Sequence, residues 1–317
     1  MTDDVTYPHK PVMVNEVIEF LIHNPDGIYV DATAGSGGHS EAIIRSLSTK
    51  GHVICIDRDP DAVKFTSRRL SHKAGRVTVV KANYADIDTV FDNLGIRAVN
   101  GILLDLGMSS YHIDRSLRGF SFLRDEPLDM RMDPEEGLTA QDVVNDFSAE
   151  DLVAILKQYG EESRARAIVR AIVRERKKKR IATTFELADV VISAVPSSRR
   201  FKGKHPATKT FQAIRIAVNR ELYNIKVFLE KVPDLLVPGG RLVVLSYHSL
   251  EDRLIKQAMA GWESRCTCPP DFPVCVCGNL PVMTRIQKKG VKPDKEEITV
   301  NHRARSAILR AAERKVL

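Results

Sequence analysis

"IYVDATAGSGGHSEAI", residues 28–43, runs from an apolar segment into an aspartate, then a glycine cluster, then a helical pattern. A strand that stops at Gly35-Ser36-Gly37-Gly38, with Ser40 and Glu41 opening a helix, brings bare backbone N–H groups close to a ligand. Something polar and nucleotide-like is expected there. The spacing separates the candidates. A dinucleotide fingerprint, G-x-G-x-x-G, is met at Gly35 and Gly37 but has Ser40 in its sixth place, and no lysine follows to make a P-loop.

Outward from this loop, short apolar runs alternate with longer helical ones. "HVICIDRD", "DAVKFTSRRL", "RVTVVKAN", "ADIDTVFDNLG" and "NGILLDLG" follow in turn. Such alternation means βαβ units on a parallel sheet, with ligands at the carboxyl ends of the strands. Asp57 ends the second run, 22 residues beyond Gly35, where an acid can accept both hydroxyls of a ribose. The loop is too short to cradle a pyrophosphate, and Asp31 beside it suits an amino-bearing ligand. A ribose, an amino-acid moiety and no phosphate together describe S-adenosylmethionine.

The alternation breaks after residue 112. From there to about Lys209 only helical patterns are visible: "TAQDVVNDF", "AEDLVAILKQYG", "ESRARAIVRAIVRERKKKR" and "TTFELADVVISAV", with Thr139, Ser148 and Thr184 placed as caps. One helix, "TKTFQAIRIAVNRELYNIKVFLEKVPDLL", the turn "VPGG" and the strand "RLVVLSYHS" resume the α/β pattern, and "RARSAILRAAER" can supply a last strand. The expected fold is α/β: a Rossmann-like, mostly parallel sheet with helices on both faces, formed by residues 1–112 and 210–317. An all-helical domain, 113–209, is inserted into it.

Lys and Arg number 48 against 41 Asp and Glu, a modest excess whose distribution matters more than its size. Residues 113–156 carry 4 basic and 11 acidic side chains, whereas 157–210 carry 15 basic and 5 acidic, a local net charge of +10. "RERKKKR" (174–180) and "SSRRFKGKHPATK" (197–209) are the densest clusters. A run of this kind is either a solvated helix face or a polyanion contact, and two clusters in one insertion favour nucleic acid. No apolar run approaches a membrane span, and "MTDDVTYPHKPVMV" lacks the basic and apolar regions of a signal peptide, so a cytoplasmic protein is expected.

Five cysteines in such a chain do not make a disulfide framework. Cys266, Cys268, Cys275 and Cys277 form two C-x-C pairs that either bind zinc or stand as thiols in a surface hairpin. Cys55 lies inside the second strand and reads as core.

Several segments in order resemble one family. They are "HKPVMVNEV" (9–17), "DATAGSGGHS" (31–40), "NGILLDLGMSS" (100–110), "RGFSF" (118–122), "PLDMRMD" (127–133), "HPATKTFQAIRIAVNREL" (205–222), "PGGRLVVLSYHSLEDR" (238–253) and "RARSAILRAAER" (303–314). The chain resembles the bacterial ribosomal RNA small-subunit methyltransferase H family, cytosine-N4 specific, over nearly its whole length. That resemblance implies a class I methyltransferase fold in which Gly37, Gly38 and His39 contact S-adenosylmethionine, Asp57 holds its ribose, Tyr84 packs near the adenine and Asp105 lies in the site. Where the family usually has Pro-Gln this chain has Tyr111-His112, and His112 is the candidate for that cofactor contact.

A cytosine N4 amine is a weak nucleophile, so acceptors must hold its N–H bonds while the nitrogen meets a methyl group in line. Asp105, Ser109, Ser110 and His248, at two strand ends, are the candidate catalytic groups, although each also has a bland reading as a turn former, cap or core histidine. The expected partner is small-subunit ribosomal RNA, free or in the assembled subunit. A homodimer is compatible with the sequence. Two other readings stay open: a non-catalytic RNA-binding assembly factor, and a small-molecule methyltransferase that would not need the basic insertion.

Overall fold

The structure is a computed structural model that describes residues 11–108, 116–196, 205–263, 274, 277 and 280–316. The chain divides into two compact units, Met1–Gly107 with Leu222–Leu317, and Met108–Glu221.

The first unit holds a seven-stranded sheet. Its elements are α1 (Val14–Leu21), β1 (Ile28–Asp31), α2 (Gly38–Ser46), β2 (His52–Asp57), α3 (Pro60–Arg69), β3 (Val77–Lys81), α4 (Ile87–Leu94) and β4 (Val99–Asp105). After the second unit come the helix Glu221–Leu235, then β5 (Leu236–Ser246), the helix Ser249–Glu263, β6 (Met283–Arg285), the short helix Lys295–Val300 and β7 (Ile308–Arg314). The strand order is β3-β2-β1-β4-β5-β7-β6. The first five strands are parallel, and β7 runs antiparallel to both β5 and β6.

The central strands β1, β2 and β4 are apolar almost to their ends because both faces of the sheet are covered there. Successive side chains alternate between the faces. Ile54 and Ile56 of β2 enter a core with Phe91 of α4, Phe228 and Trp262, while Val53 and Cys55 enter another with Val17 and Leu21 of α1 and Ile43 and Ile44 of α2. Burial also settles Cys55, whose thiol is pushed up to about 12 and is inert.

The second unit is helical among its described residues: α5 (Ala140–Asp146), α6 (Ala149–Gln158), α7 (Ala165–Arg176), α8 (Thr184–Ser193) and α9 (Thr208–Asn219). Thr139 and Ser148 cap α5 and α6 as expected, each accepting from the N–H three residues on. For α8 the cap is Thr183, in a capping box with Glu186, rather than Thr184, whose buried hydroxyl instead donates to the Arg124 carbonyl at 2.6 Å. Phe211, Ala213 and Ile214 of α9 lie in the core of this unit, so the division falls at residue 221 where sequence patterning places it at 209.

The long helix expected across 208–235 is two helices. Arg220 takes a left-handed conformation, φ 51°, and Asn219 turns its side chain to the carbonyls of Met130 and Arg215. Helix α7 ends at Arg176, short of the basic run expected to prolong it.

Candidate functional site

In an open α/β sheet the ligand crevice opens where the winding direction reverses, outside the carboxyl ends of the strands. Here that point lies between β1 and β4, since β2 and β3 add to one side of β1, and β5 to the far side of β4. Asp57, Asp31 and Asp105 end the neighbouring strands β2, β1 and β4.

The loop after β1 is held from beneath. The Asp57 carboxylate accepts from the Gly35 N–H at 2.8 Å and the Asp59 N–H at 2.9 Å, the Thr66 hydroxyl donates to the Gly35 carbonyl at 3.0 Å, and the Arg69 guanidinium donates to that of Ser36 at 3.3 Å. Gly37 closes the turn with φ 78°, the left-handed region that favours glycine, and stands as the N-cap of α2. The first intrahelical bond runs from Glu41 N–H to Gly37 carbonyl at 2.9 Å. The N–H groups of Gly38, His39 and Ser40 therefore lack helical acceptors, a configuration that binds anions.

Asp31 is buried and already engaged. Its carboxylate accepts from the Ser40 hydroxyl at 2.6 Å and the Thr33 N–H at 3.3 Å. Burial pushes its pKa up, against the lowering effects of His39 and Ser40. It therefore braces the loop from below through Ser40 and Thr33.

Asp105 behaves oppositely. Burial alone would raise it, but the His39 imidazole, the Gly107 N–H and the Tyr247 hydroxyl outweigh that and hold its carboxyl below the ordinary range. The Gly107 N–H donates to Oδ1 at 2.9 Å, and Asp105's own N–H donates to the Thr33 hydroxyl at 2.7 Å. His39 Nε2 stands 3.5 Å from Oδ2, a long contact outside hydrogen-bond alignment, and neither ring nitrogen of this buried histidine has a hydrogen-bond partner among the described residues. An orphaned buried imidazole beside three acceptor-less amides is a site shaped for a further polar group.

His248 follows β5, the neighbour of β4. Its Nδ1 accepts weakly from the Glu251 N–H at 3.4 Å, and its Nε2 lies 2.9 Å from Glu251 Oε1 without hydrogen-bond alignment. Buried Glu251 in turn accepts from the Tyr247 N–H at 2.8 Å and the His248 N–H at 3.2 Å. The ring is thus tied to the first turn of the helix Ser249–Glu263. Tyr84 follows β3, two strands from β1, and packs edge-on against Phe228 with centroids 5.7 Å apart. Ser109, Ser110 and His112 lie outside the described residues, as do Cys266, Cys268 and Cys275, so neither the two-serine loop nor a zinc set has a described geometry.

Sequence reasoning passed over Tyr247 and Thr33, which orient Asp105, and Ser40, which satisfies Asp31. Each sits within a recognised segment, but nothing in a linear pattern says which strand-end residues face one another. The phenol of Tyr247 is pushed well up by burial and by Asp105, so it stays a neutral donor.

A mostly parallel Rossmann-like sheet with β7 antiparallel to both its neighbours, and a glycine loop opening at the β1/β4 crevice, is the architecture of a methyltransferase that uses S-adenosylmethionine. Residues 6–315 match the model of the MraW methylase family, and the chain belongs to that family. It is 47% identical over 309 residues to "Ribosomal RNA small subunit methyltransferase H 2" of Agathobacter rectalis, covering 97% of this chain and 98% of the relative. It is 48% identical over 308 residues to "Ribosomal RNA small subunit methyltransferase H" of Carboxydothermus hydrogenoformans, with 97% and 98% covered. Among solved structures, an rRNA methylase from Streptococcus thermophilus aligns over 96% of this chain and 94% of its own, at 13% identity and a TM-score of 0.43.

Proposed function

We propose that this chain methylates the exocyclic N4 of a cytidine in small-subunit (16S) ribosomal RNA. The observation that carries the reading is the cradle at the β1/β4 crevice, with the free amides of α2, orphaned His39 and charged Asp105, in a chain that matches the methylase family nearly end to end. The first unit is the catalytic domain, and 108–221 is the RNA-binding insertion.

S-adenosylmethionine, when bound, supplies an electrophilic methyl group on a sulfonium. The residues present fit it. The amides of Gly38, His39 and Ser40 suit its carboxylate, and Asp57, already fixed by Gly35 and Asp59, presents a carboxylate to its ribose. Gly37 shapes that turn, Tyr84 stands on the adenine side, and His112 is assigned a cofactor contact.

Asp105, oriented by the Gly107 N–H and held charged, is an acceptor for an N–H of the incoming amine or of the cofactor. An acceptor there draws the nitrogen lone pair out of conjugation and fixes the approach. Ser109, Ser110 and His248 are assigned to the same task. The N4 proton can leave after methyl transfer, so no strong base is needed. The target base must be extruded from its stack to reach the crevice. Among the described residues no helix is long and apolar enough to cross a membrane. The enzyme works in the cytoplasm on ribosomal RNA, free or in an assembled subunit, and as a monomer or homodimer.

The test is incubation of pure protein with methyl-labelled S-adenosylmethionine and either small ribosomal subunits or naked ribosomal RNA, followed by nucleoside mass analysis. Label in N4-methylcytidine is expected. Label confined to another nucleoside or to a small molecule, or none at all, overturns the reading.

A further inference from the structure

The end of the basic run that dominates the sequence of the insertion, Lys178 to Arg180, is neutralised by its own fold. Lys178 reaches Glu175 at 3.0 Å, Lys179 reaches Glu186 at 2.6 Å, and Arg180 makes two bonds to Asp146 at 2.7 and 2.9 Å with Asp142 3.7 Å away. Arg176 donates to the Val144 carbonyl at 2.8 Å. These cations tie α7, α5 and α8 together. The charges of Lys178, Lys179 and Arg180 are balanced locally, so these three contribute little to the field that a polyanion meets.

A different set is unbalanced. Arg166, Arg170, Arg174 and Lys177 are exposed, and none has an ion pair or side-chain hydrogen bond among the described residues. They stand at i, i+4, i+8 and i+11, and Lys177, the C-cap of α7, keeps helical dihedrals. At about 100° per residue, the four fall within about 80° of one another around the helix. The buried residues Ala165, Ile168, Val169 and Ile172 occupy the opposite side. The stripe is thus a row of cations without ion-pair partners among the described residues, about 16 Å long, with steps of roughly 4.5–6 Å.

We propose that this stripe on α7, and not the run at 178–180, is the surface that holds the phosphate backbone of the RNA substrate. The proposal rests on the reading of the chain as an RNA methyltransferase and adds where the strand lies. A polyanion is the partner that fits, because three guanidinium groups without ion-pair partners among the described residues offer phosphates planar, bidentate donor sets and Lys177 adds a point charge in the same row. Such contacts position a strand without reading its sequence. Lys178, Lys179 and Arg180 would first have to give up existing partners.

Two variants of the full chain separate the sets: Arg166→Gln, Arg170→Gln, Arg174→Gln, Lys177→Gln, and Lys178→Gln, Lys179→Gln, Arg180→Gln. Affinity for a single-stranded fragment of small-subunit ribosomal RNA is measured from low to moderate salt, with calorimetry of cofactor binding and thermal melting beside it. The stripe variant should flatten the log–log salt slope by up to about 0.7 per lost contact, so between about 2 and 3 in all, at unchanged cofactor affinity and melting. The 178–180 variant should melt earlier and keep the parent's slope. An unaltered slope in the stripe variant overturns the proposal and leaves the row as a solvated face or a site for an acidic protein; an equal loss of slope in the other variant overturns it too. Should the stripe variant melt early, Arg170→Gln alone must lower the slope by about 0.7. A parent protein that binds no RNA defeats the underlying reading instead, which keeps the two failures distinct.

Discussion

Replacing Asp105 by Asn keeps the shape of the side chain, removes its charge and converts half of an acceptor-only group into a donor. The Gly107 N–H donates to this carboxylate at 2.9 Å, the Tyr247 phenol beside it helps hold its pKa down, and His39 Nε2 lies 3.5 Å away. An amide oxygen can keep the Gly107 donor. The amide nitrogen then faces the phenol or the imidazole. A charge-assisted bond of ~1.5–3 kcal/mol becomes a neutral one of ~0.5–1.5, so the Gly107 contact alone loses roughly 1–1.5 kcal/mol. Relief from burying a charge offsets part of this, and the fold should survive. Chemistry is more sensitive, since deleting one preorganised polar group lowers a rate by ~100-fold or more.

The pH dependence of Asp105 has a definite sign. Its pKa in the fold lies below the ordinary 3.8, so its contribution is fully present above that value and is lost as pH falls through the lower, folded value. The difference in stability between Asp105→Asn and the parent should therefore be flat from about pH 6 to 8 and shrink only in acid. Single-turnover methylation at saturating cofactor, with melting curves across pH, measures both quantities. A variant that transfers methyl within a few-fold of the parent shows that Asp105 only caps the turn at Gly107.

Asp31→Asn should show the reverse trend, because burial raises the folded pKa above 3.8 and the parent loses stability as pH rises past that value; the variant's melting temperature relative to the parent should climb between about pH 4 and 7, and a flat difference refutes the assignment. Asp57→Ala should weaken cofactor binding more than about tenfold and also lower the melting temperature, since the Gly35 and Asp59 N–H groups lose their acceptor; calorimetry showing parental affinity removes Asp57 from the site. Gly107→Ala would place a Cβ 2.9 Å from the Tyr247 ring and 3.0 Å from Asp105 Oδ1, so a loss of about 1–3 kcal/mol in stability and a slowed transfer are expected, whereas parental kinetics would show that this corner gives way freely.

Much of this protein follows from order along the chain. Strands buried on both faces must be apolar throughout, so "HVICID" and "NGILLD" announce themselves, and a glycine cluster directly after one of them marks where backbone meets ligand. Caps are local as well, which is why Thr139 and Ser148 were legible. Thr183 was not, because the choice between adjacent threonines is made by Glu126 and Arg124, 58 and 60 residues from Thr184, whose backbone groups bind the Thr184 hydroxyl. The break at Arg220 is decided in the same way, by Met130 accepting from Asn219 across 89 residues.

Charge shows the limit most clearly. The sequence determines that the insertion is basic, but whether a given cation is available depends on which acids the fold brings within about 4 Å of it, since attraction falls with distance and is screened by water. That is why the end of "RERKKKR", Lys178, Lys179 and Arg180, is taken up in ion pairs with Glu175, Glu186 and Asp146, while its Arg174 and Lys177 line up with Arg166 and Arg170 on one open face. The two acids of the crevice differ for the same reason. Asp31 and Asp105 both end strands and both are enclosed, yet one is raised and the other lowered: His39 favours the charged form of each, but at Asp105 the Gly107 N–H and the Tyr247 phenol add to it and outweigh burial.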